Sequence, residues 1–543
     1  MGQLHVMTPP DPLELAWYPT SDLGNAKRLA ARASGLLRWV DLGDDEGYWI
    51  AYHEGRWRRD IGMREARLAT DGVAVCLHEE AKALAKQITE RKLPPGMSEE
   101  LAQDRLTELR KWARDSGNAN RARGMLDKAR ALLAIGIDAF DCDPLAVNVR
   151  NGTLRFHKLD LPDDAPEEWG VRLDPHDPED MFSRMAVVDF DPSAGCPKWI
   201  KRLAHLQPEA DQREFMRRIF GYALQGLRSE QVFVVAQGKG GDGKSLTHVI
   251  LSGILGDYYK HADVQSFLQG GRKSGSDHSE DLARLAGDTR LVTCDEPERF
   301  STWNSKVIKQ MTGGGKMTVR GLREASREIR PGWLLVVECN TFPKVPTSDD
   351  GFWRRCKVLE WPVQLDRSQQ GDFEAIKAEM LAERSGILNW MVGGALAWLA
   401  ERTLCESARA VEVRESYRNS SDPFGEWYRA RCVVGDPEQL RAGISELHED
   451  FSRYCRDEIG IDEDKIPKVR AFGTQLDERQ HRSRKSNGVK VRLGIRLKTE
   501  AELAGDGAAR EARERASDRQ SGAAARPAAP PSARSMDDWG EDD

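Results

Sequence analysis

Apolar and polar positions change period several times along the chain, and each change marks an element. In "SDLGNAKRLAARAS" apolar residues recur at helical spacing behind a polar start, which predicts a helix capped by Ser21 or Asp22. "GYWIAYHEGRWRRD" alternates aromatics on both sides of a Glu-Gly pair and predicts a hairpin. Residues 77–135 are charged and alanine-rich, hence mostly helical, with a break at "KLPPGMS". Short strand signals and Asp-Pro pairs over 140–195 predict a loop-rich connector, and 196–230 returns to helix. Residues 231–365 alternate apolar strands with helices, the pattern of an α/β unit with a largely parallel sheet. A helical stretch with a strong apolar face fills 372–418, and a small helix-plus-wing module fills 422–498. From 499 the chain is Ala/Arg/Pro/Ser-rich with almost no large apolar residues, so a disordered tail is expected.

The expected order of domains is therefore an α+β accessory region (1–135), a strand-rich connector (136–195), a helical collar (196–230), an α/β core (231–365), a helical segment (366–420), a winged-helix-like module (421–498) and a tail (499–543). A length of 543 residues suits several cores rather than one. Composition, 39% hydrophobic and 31% charged, is that of a globular protein. No run approaches eighteen apolar residues, so no membrane span is expected. The N-terminus lacks the basic start and apolar core of a signal peptide. Nine scattered cysteines with no CxxC pair argue against a zinc site and a disulfide framework; reduced thiols and a cytoplasmic location are the expectation. The net charge of −7 does not advertise nucleic-acid binding for the whole chain, so any such contact must come from local charge.

One stretch carries specific chemistry. Gly238-Lys239-Gly240-Gly241-Asp242-Gly243-Lys244-Ser245 fits GxxxxGK[ST] between the strand "VFVVA" and the helix "SLTHVILSGIL". Glycines let backbone N–H groups turn toward phosphate oxygens, Lys244 reaches the β/γ-phosphates and the Ser245 hydroxyl holds Mg²⁺, while the helix N-terminus faces the same anion. About fifty residues on, "TRLVTCDEPE" places Asp295 and Glu296 at the tip of a buried strand. Asp295 suits Mg²⁺, and Glu296 suits orienting a water for attack. A third strand, "GWLLVVECN", ends at Asn340, where a polar side chain can sense the γ-phosphate or simply open the turn before "TFPKVP". Arg354 and Arg355 follow, either an arginine pair of the kind that stabilises transferring phosphoryl charge across a subunit interface or simply a surface basic pair. Between the second and third strands, a glycine-bearing hairpin presents Lys316, Arg320, Arg323 and Arg327, either to nucleic-acid phosphates or simply to solvent.

In this order and spacing, "GKGGDGKS", "LAGDTRLVTCDEPE", "KQMTGGGKMTVRGL" and "VVECNTFPKVPTSDDGFWRRCKVLEWP" resemble the superfamily 3 helicases, in particular the phage/plasmid primase–helicase branch with its poxvirus-type helicase-primase relatives. "LAVNVRNGTLRF" and "VVDFDPSAGCPKWIKRL" upstream, and "SYRNSSDPFGEWYRARC" downstream, extend the likeness over roughly 140–435. The resemblance implies an AAA+ P-loop core assembled as a hexameric ring that uses ATP and Mg²⁺ to move on single-stranded and forked DNA. It makes Lys244 and Ser245 part of the first Walker motif, Asp295 and Glu296 the second, Asn340 the sensor, and Arg354 or Arg355 the arginine finger. It sets Arg320 and its neighbours near a DNA-facing hairpin. One departure is Gly315, where the family carries the carboxylate of TGGD.

Residues 466–498 are strongly basic, with Arg482, Arg484, Lys485 and Lys490 around a turn at Asn487-Gly488, which favours contact with DNA phosphates. The expected function is an ATP-dependent DNA helicase of phage, prophage or plasmid replication in a bacterial cytoplasm, working beside a separate primase or replication proteins. The alternatives are a bifunctional primase–helicase, in which Asp189 and Asp191 of "VVDFDP" would carry primer synthesis, and an ATP-switched initiator or loader.

Overall fold

The computed structural model describes residues 10–504 except 34, 44–45, 95, 163–166, 271–276, 321–325, 346–348, 367–369, 459–462, 464–465 and 487–488. Of the tail expected from 499, residues 505–543 lie outside the described residues, as do the Asn487-Gly488 turn and Arg323; its first residues are helical instead, 500–504, with Glu502 paired to Arg496 at 2.7 Å. The chain divides into two compact units, Met1–Tyr417 and Arg418–Asp543.

The first unit begins with α1 (Pro12–Leu15) and α2 (Asp22–Ala33). Ser21 is the side chain that caps α2, accepting from the Gly24 amide at 3.1 Å. Strands β1 (Leu37–Gly43), β2 (Glu46–His53) and β3 (Arg56–Arg59) form a meander, and β2 turns into β3 at Glu54-Gly55. Both turn residues have positive φ, 50° and 79°, the twist that a two-residue hairpin loop needs. Trp39 and Trp49 face each other across β1 and β2, edge to face at 5.3 Å. Helices α3 (Arg64–Thr89), α4 (Glu99–Asp115) and α5 (Ala119–Leu132) follow, and β4 (Ala134–Gly136) adds in parallel beside β1. Inside these helices Arg28 and Glu80 form a fully buried ion pair at 2.8 Å. Three further Arg28 N–H groups donate to the carbonyls of Leu15, Tyr18 and Pro19, so four of its five donors are met.

The connector is a three-stranded antiparallel sheet of β5 (Ala146–Val149), β6 (Gly152–Lys158) and β7 (Trp169–Asp174). Helices α6 (Pro197–Leu206) and α7 (Ala210–Leu224) lead to the central sheet. That sheet contains β8 (Phe233–Gly238), β9 (Tyr259–Ala262), β10 (Leu291–Cys294), β13 (Leu334–Cys339) and β14 (Cys356–Trp361), in the order β14-β8-β13-β10-β9. Every neighbouring pair in it is parallel. Strands β8, β10 and β13 are mostly apolar on both faces because both faces are covered. Val234, Ala236, Leu291, Val336 and Leu359 join one core with α6, α7, α8 (Lys244–Leu255), α12 (Phe373–Ala382) and α13 (Arg384–Glu401). Phe233, Val235, Val292, Leu335 and Val358 join the other, with Trp303, Phe352 and Tyr417. Helices α9 (Asp277–Arg284), α10 (Ser305–Thr312), α11 (Asp350–Arg355) and α14 (Ala408–Ser421) complete the described helices around it. Between β10 and β13 an antiparallel pair, β11 (Met317–Arg320) and β12 (Ser326–Ile329), forms the expected hairpin.

A single guanidinium ties these layers together. Arg290, immediately before β10, is fully buried; it donates to the carbonyls of Leu224 at 2.7 Å and Ala146 at 2.6 Å and to Asp288 at 2.7 Å. Its plane lies over the Tyr258 ring, 4.6 Å from the centroid.

The second unit runs α15 (Pro423–Arg431), β15 (Cys432–Val434), β16 (Arg441–Gly443), α16 (Ile444–Asp457), α17 (Val469–Glu478), β17 (Ser483–Ser486), β18 (Val489–Leu493) and β19 (Ile495–Leu497). Phe424, Trp427, Phe451 and Phe472 form its aromatic core. The sequence pattern predicts one strand over "GVKVRLGIRL"; instead Gly494, at φ +75°, ends β18, and β19 leaves to pair with β15.

Candidate anion-binding site at the sheet edge

The glycine-rich loop leaves the C-terminal end of β8 and enters α8 at Lys244. Gly240, Gly241 and Gly243 all have positive φ, so the loop turns its amides inward where residues with a Cβ would be strained. Gly238 has no room for a side chain either: a Cβ there would lie 2.0 Å from the Asp242 carboxylate and 2.6 Å from the Lys244 ammonium. The inward donors converge on one anion, the chain's own Asp242. Its carboxylate accepts from the Gly240 amide at 3.1 Å, the Lys244 amide at 3.2 Å and the Lys244 ammonium. Asp242 and Lys244 are both buried, whereas Lys239, Gly241 and Ser245 are exposed. A carboxylate thus occupies the donor set that suits a phosphate.

The strand ends bring the other groups together. Asn340, just beyond β13, accepts from Lys244 Nζ through Oδ1 at 3.4 Å and donates to Glu296 from its backbone N at 3.0 Å and from Nδ2 at 2.6 Å. Lys244, Asn340 and Glu296 are therefore one connected set. Asp295 is not part of it: its side chain is 85% exposed, and its Oδ2 lies 3.2 Å from His261 Nε2 on β9. The carboxylate in contact with the Ser245 hydroxyl, at 2.7 Å, is Glu338 of β13, which also takes His248 Nδ1 at 2.5 Å. Burial pushes the Glu338 carboxyl up, but the hydrogen bond and charge of His248, the Ser245 hydroxyl and the Lys244 ammonium outweigh it and hold the group below its ordinary range. Sequence reasoning missed both Glu338 and His248. The available signal was a lone charge inside the otherwise apolar run "LLVVEC".

The structure separates the two arginines. Arg354 is exposed. Arg355 folds back to donate to the Gly351 carbonyl at 2.7 Å, and burial together with the charge of Arg354 lowers its pKa. Lys316 on the hairpin pairs with Glu328 at 2.7 Å in an exposed ion pair, so part of its charge is already answered. Arg320 and Arg327 are placed by their backbones, on β11 and β12. In the second unit Arg482, Arg484, Lys485 and Lys490 are all exposed on or beside β17 and β18. In "VVDFDP", Asp189 is exposed, and Asp191 spends one oxygen on the Ser193 amide at 2.9 Å and hydroxyl at 2.7 Å. No helix among the described residues is long and apolar enough to cross a membrane.

Comparison with known proteins adds an independent line. A family model described as D5 N terminal like matches residues 26–208. The "Putative helicase L207/L206" of Acanthamoeba polyphaga mimivirus is 35% identical over 157 residues, 29% of this chain and 16% of that protein. The "Putative helicase 022R" of Frog virus 3 is 28% identical over 165 residues, covering 30% of this chain and 17% of the relative. The "Putative primase C962R" of African swine fever virus is 24% identical over 231 residues, covering 42% and 23%. The chain thus spans between 16% and 23% of the length of these relatives. Among solved structures, the apo A form of the NrS-1 C terminal region aligns with a TM-score of 0.38 and 14% identity, over 57% of this chain and 78% of that one. The N-terminal match and the viral relatives support a likeness to the D5-like primase–helicases, consistent with superfamily 3 helicase relatives.

Proposed function

We propose that the chain is an ATP-dependent DNA helicase subunit whose central sheet is an AAA+ P-loop core. The observation that carries the reading is the convergence of the loop amides and Lys244 on a single anion, with Glu296 and Asn340 joined to Lys244 across the strand ends. A triphosphate displacing the Asp242 carboxylate inherits those donors. Glu296, held by Asn340, then orients the attacking water, and Asn340 couples that carboxylate to the Lys244 ammonium beside the phosphates. The oxygen donors at this edge, the Ser245 hydroxyl and nearby carboxylates, suit Mg²⁺, which when bound neutralises phosphate charge. Arg354, exposed in the last turn of α11, is the finger presented to a neighbouring copy in a homo-hexameric ring, and Arg355 is a structural residue of that helix.

The hairpin around Arg320 and the second unit supply DNA contact. The order α15-β16-α16-α17-β17-β18, with β18 central in its sheet, supports a winged-helix reading in which the β17–β18 wing carries the exposed cations. Steady-state ATP hydrolysis with and without single-stranded DNA, followed by unwinding of a forked duplex, tests the proposal. Strong stimulation by DNA that Lys244→Ala abolishes is the expected result. Turnover indifferent to DNA, or unwinding by the Lys244→Ala protein at the wild-type rate, would overturn it.

A further inference from the structure

Resting on the nucleotide-binding reading, we propose that Glu338 is a carboxylate of the metal site beside Ser245, and that His248 is its positioning residue.

Three observations lead there. First, Glu338 is out of place by composition. Its neighbours on β13, Leu334 to Val337 and Cys339, are buried and apolar, and it stands opposite Ala236 of β8 in a central strand, where charged side chains are disfavoured. Second, both of its oxygens are committed, and to different kinds of partner. One accepts the hydroxyl of Ser245, the loop residue whose oxygen suits a divalent cation, and the other is fixed by His248 Nδ1. His248 is 2% exposed and packs edge-on to Phe220, and its Nε2 has no partner among the described residues. The imidazole therefore spends its single hydrogen bond on orienting Glu338, as histidines and carboxylates orient one another around metal ions. Third, the carboxylate expected for this role, Asp295, faces solvent and His261.

The contact between Ser245 and Glu338 is compatible with a bound cation. A serine hydroxyl can donate its proton to Glu338 while its lone pair faces the metal. A partly buried carboxylate on the nucleotide side of the sheet gains from a nearby dication. A purely structural Glu338 would serve only to satisfy Ser245 and His248, and metal binding would not depend on it.

Manganese binding to the ADP complex, followed by electron paramagnetic resonance, distinguishes these roles, with ADP affinity in EDTA as the control for the fold and the phosphate cradle. For Glu338→Gln, Mn²⁺ affinity should fall by about 10- to 100-fold, the usual cost of disturbing a group that holds or orients a metal ligand, while ADP affinity in EDTA stays within about twofold. Glu338→Asp should recover part of the loss, and His248→Ala should show a smaller one. Unchanged Mn²⁺ affinity in Glu338→Gln, with the loss appearing in Asp295→Asn instead, would overturn the proposal. Loss of metal-free ADP binding in Glu338→Gln would also overturn it, by making the residue structural. If the wild-type protein binds no ADP under either condition, the nucleotide reading itself fails.

Discussion

Lys244 and Arg290 are both buried cations, set at opposite edges of one parallel sheet, and they are held in opposite ways. Arg290 enters β10 from its N-terminal end and is held by the Asp288 carboxylate and by the main-chain carbonyls of Leu224 and Ala146, and the carbonyls cannot turn away without moving whole elements. Lys244 leaves β8 at the C-terminal end and is fixed by two side chains, Asp242 and Asn340, which can rotate. The first arrangement locks layers together. The second holds a charge ready for a guest. A buried cation in this fold is therefore read by the mobility of its partners rather than by its depth.

Substitution at the two sites should separate stability from chemistry. Arg290→Ala leaves Asp288 and two buried carbonyls without a partner and should cost about 3–5 kcal/mol, seen as a large fall in the urea midpoint. Lys244→Ala should cost under about 1 kcal/mol in the same measurement, since Asp242 can turn to solvent. Equal destabilisation by the two would break the comparison.

On the chemical side, Lys244→Ala and Glu296→Gln should each lower ATP turnover by about 10²–10³-fold, the range found when one oriented charge or donor is removed from an active site. Single-turnover hydrolysis checks this, and Glu296→Gln should retain nucleotide binding. Asp242→Asn sharpens the contrast, because a neutral amide competes less well for the loop donors than a carboxylate. ADP affinity by fluorescence titration should tighten by about five- to tenfold, the difference between a charge-assisted hydrogen bond and a neutral one. The smallest effect belongs to the second unit. Replacing Arg484 and Lys485 with alanine should reduce the slope of log Kobs for single-stranded DNA against log salt by about 0.7 per lost phosphate contact, leaving ATP turnover without DNA unchanged.

Local geometry was legible in the sequence. The glycine loop announces itself because each positive-φ position needs glycine, and the alternation of buried strands and helices announces a parallel sheet. The Glu54-Gly55 turn and the β11–β12 hairpin were legible for the same reason: their rules are short-range. Long-range placement was not. Nothing local says that Asp295 turns to His261 while Glu338 turns to Ser245, because that depends on the order in which strands pack. Asp242 reads as one more loop residue until the folded loop shows that its carboxylate takes the donors. The end of β18 at Gly494 could have been suspected from the glycine alone, but its cause is the pairing of β19 with β15.

The carbonyls that hold Arg290 also have a bearing on how the protein is made and cut. They come from residues 144 and 66 positions earlier in the chain. On the ribosome both are synthesised before Arg290 emerges, so the N-terminal part of the first unit can be in place to receive the guanidinium. A truncation beginning after the D5-like segment, at residue 209, would keep every residue of the glycine loop and still discard the Ala146 carbonyl. Such a fragment would keep the Arg290 contacts to Asp288 and Leu224 but leave the N–H group that faces Ala146 without its acceptor at the root of β10. Expression boundaries for the central sheet are therefore better set upstream of β5 than at the visible start of the loop motif.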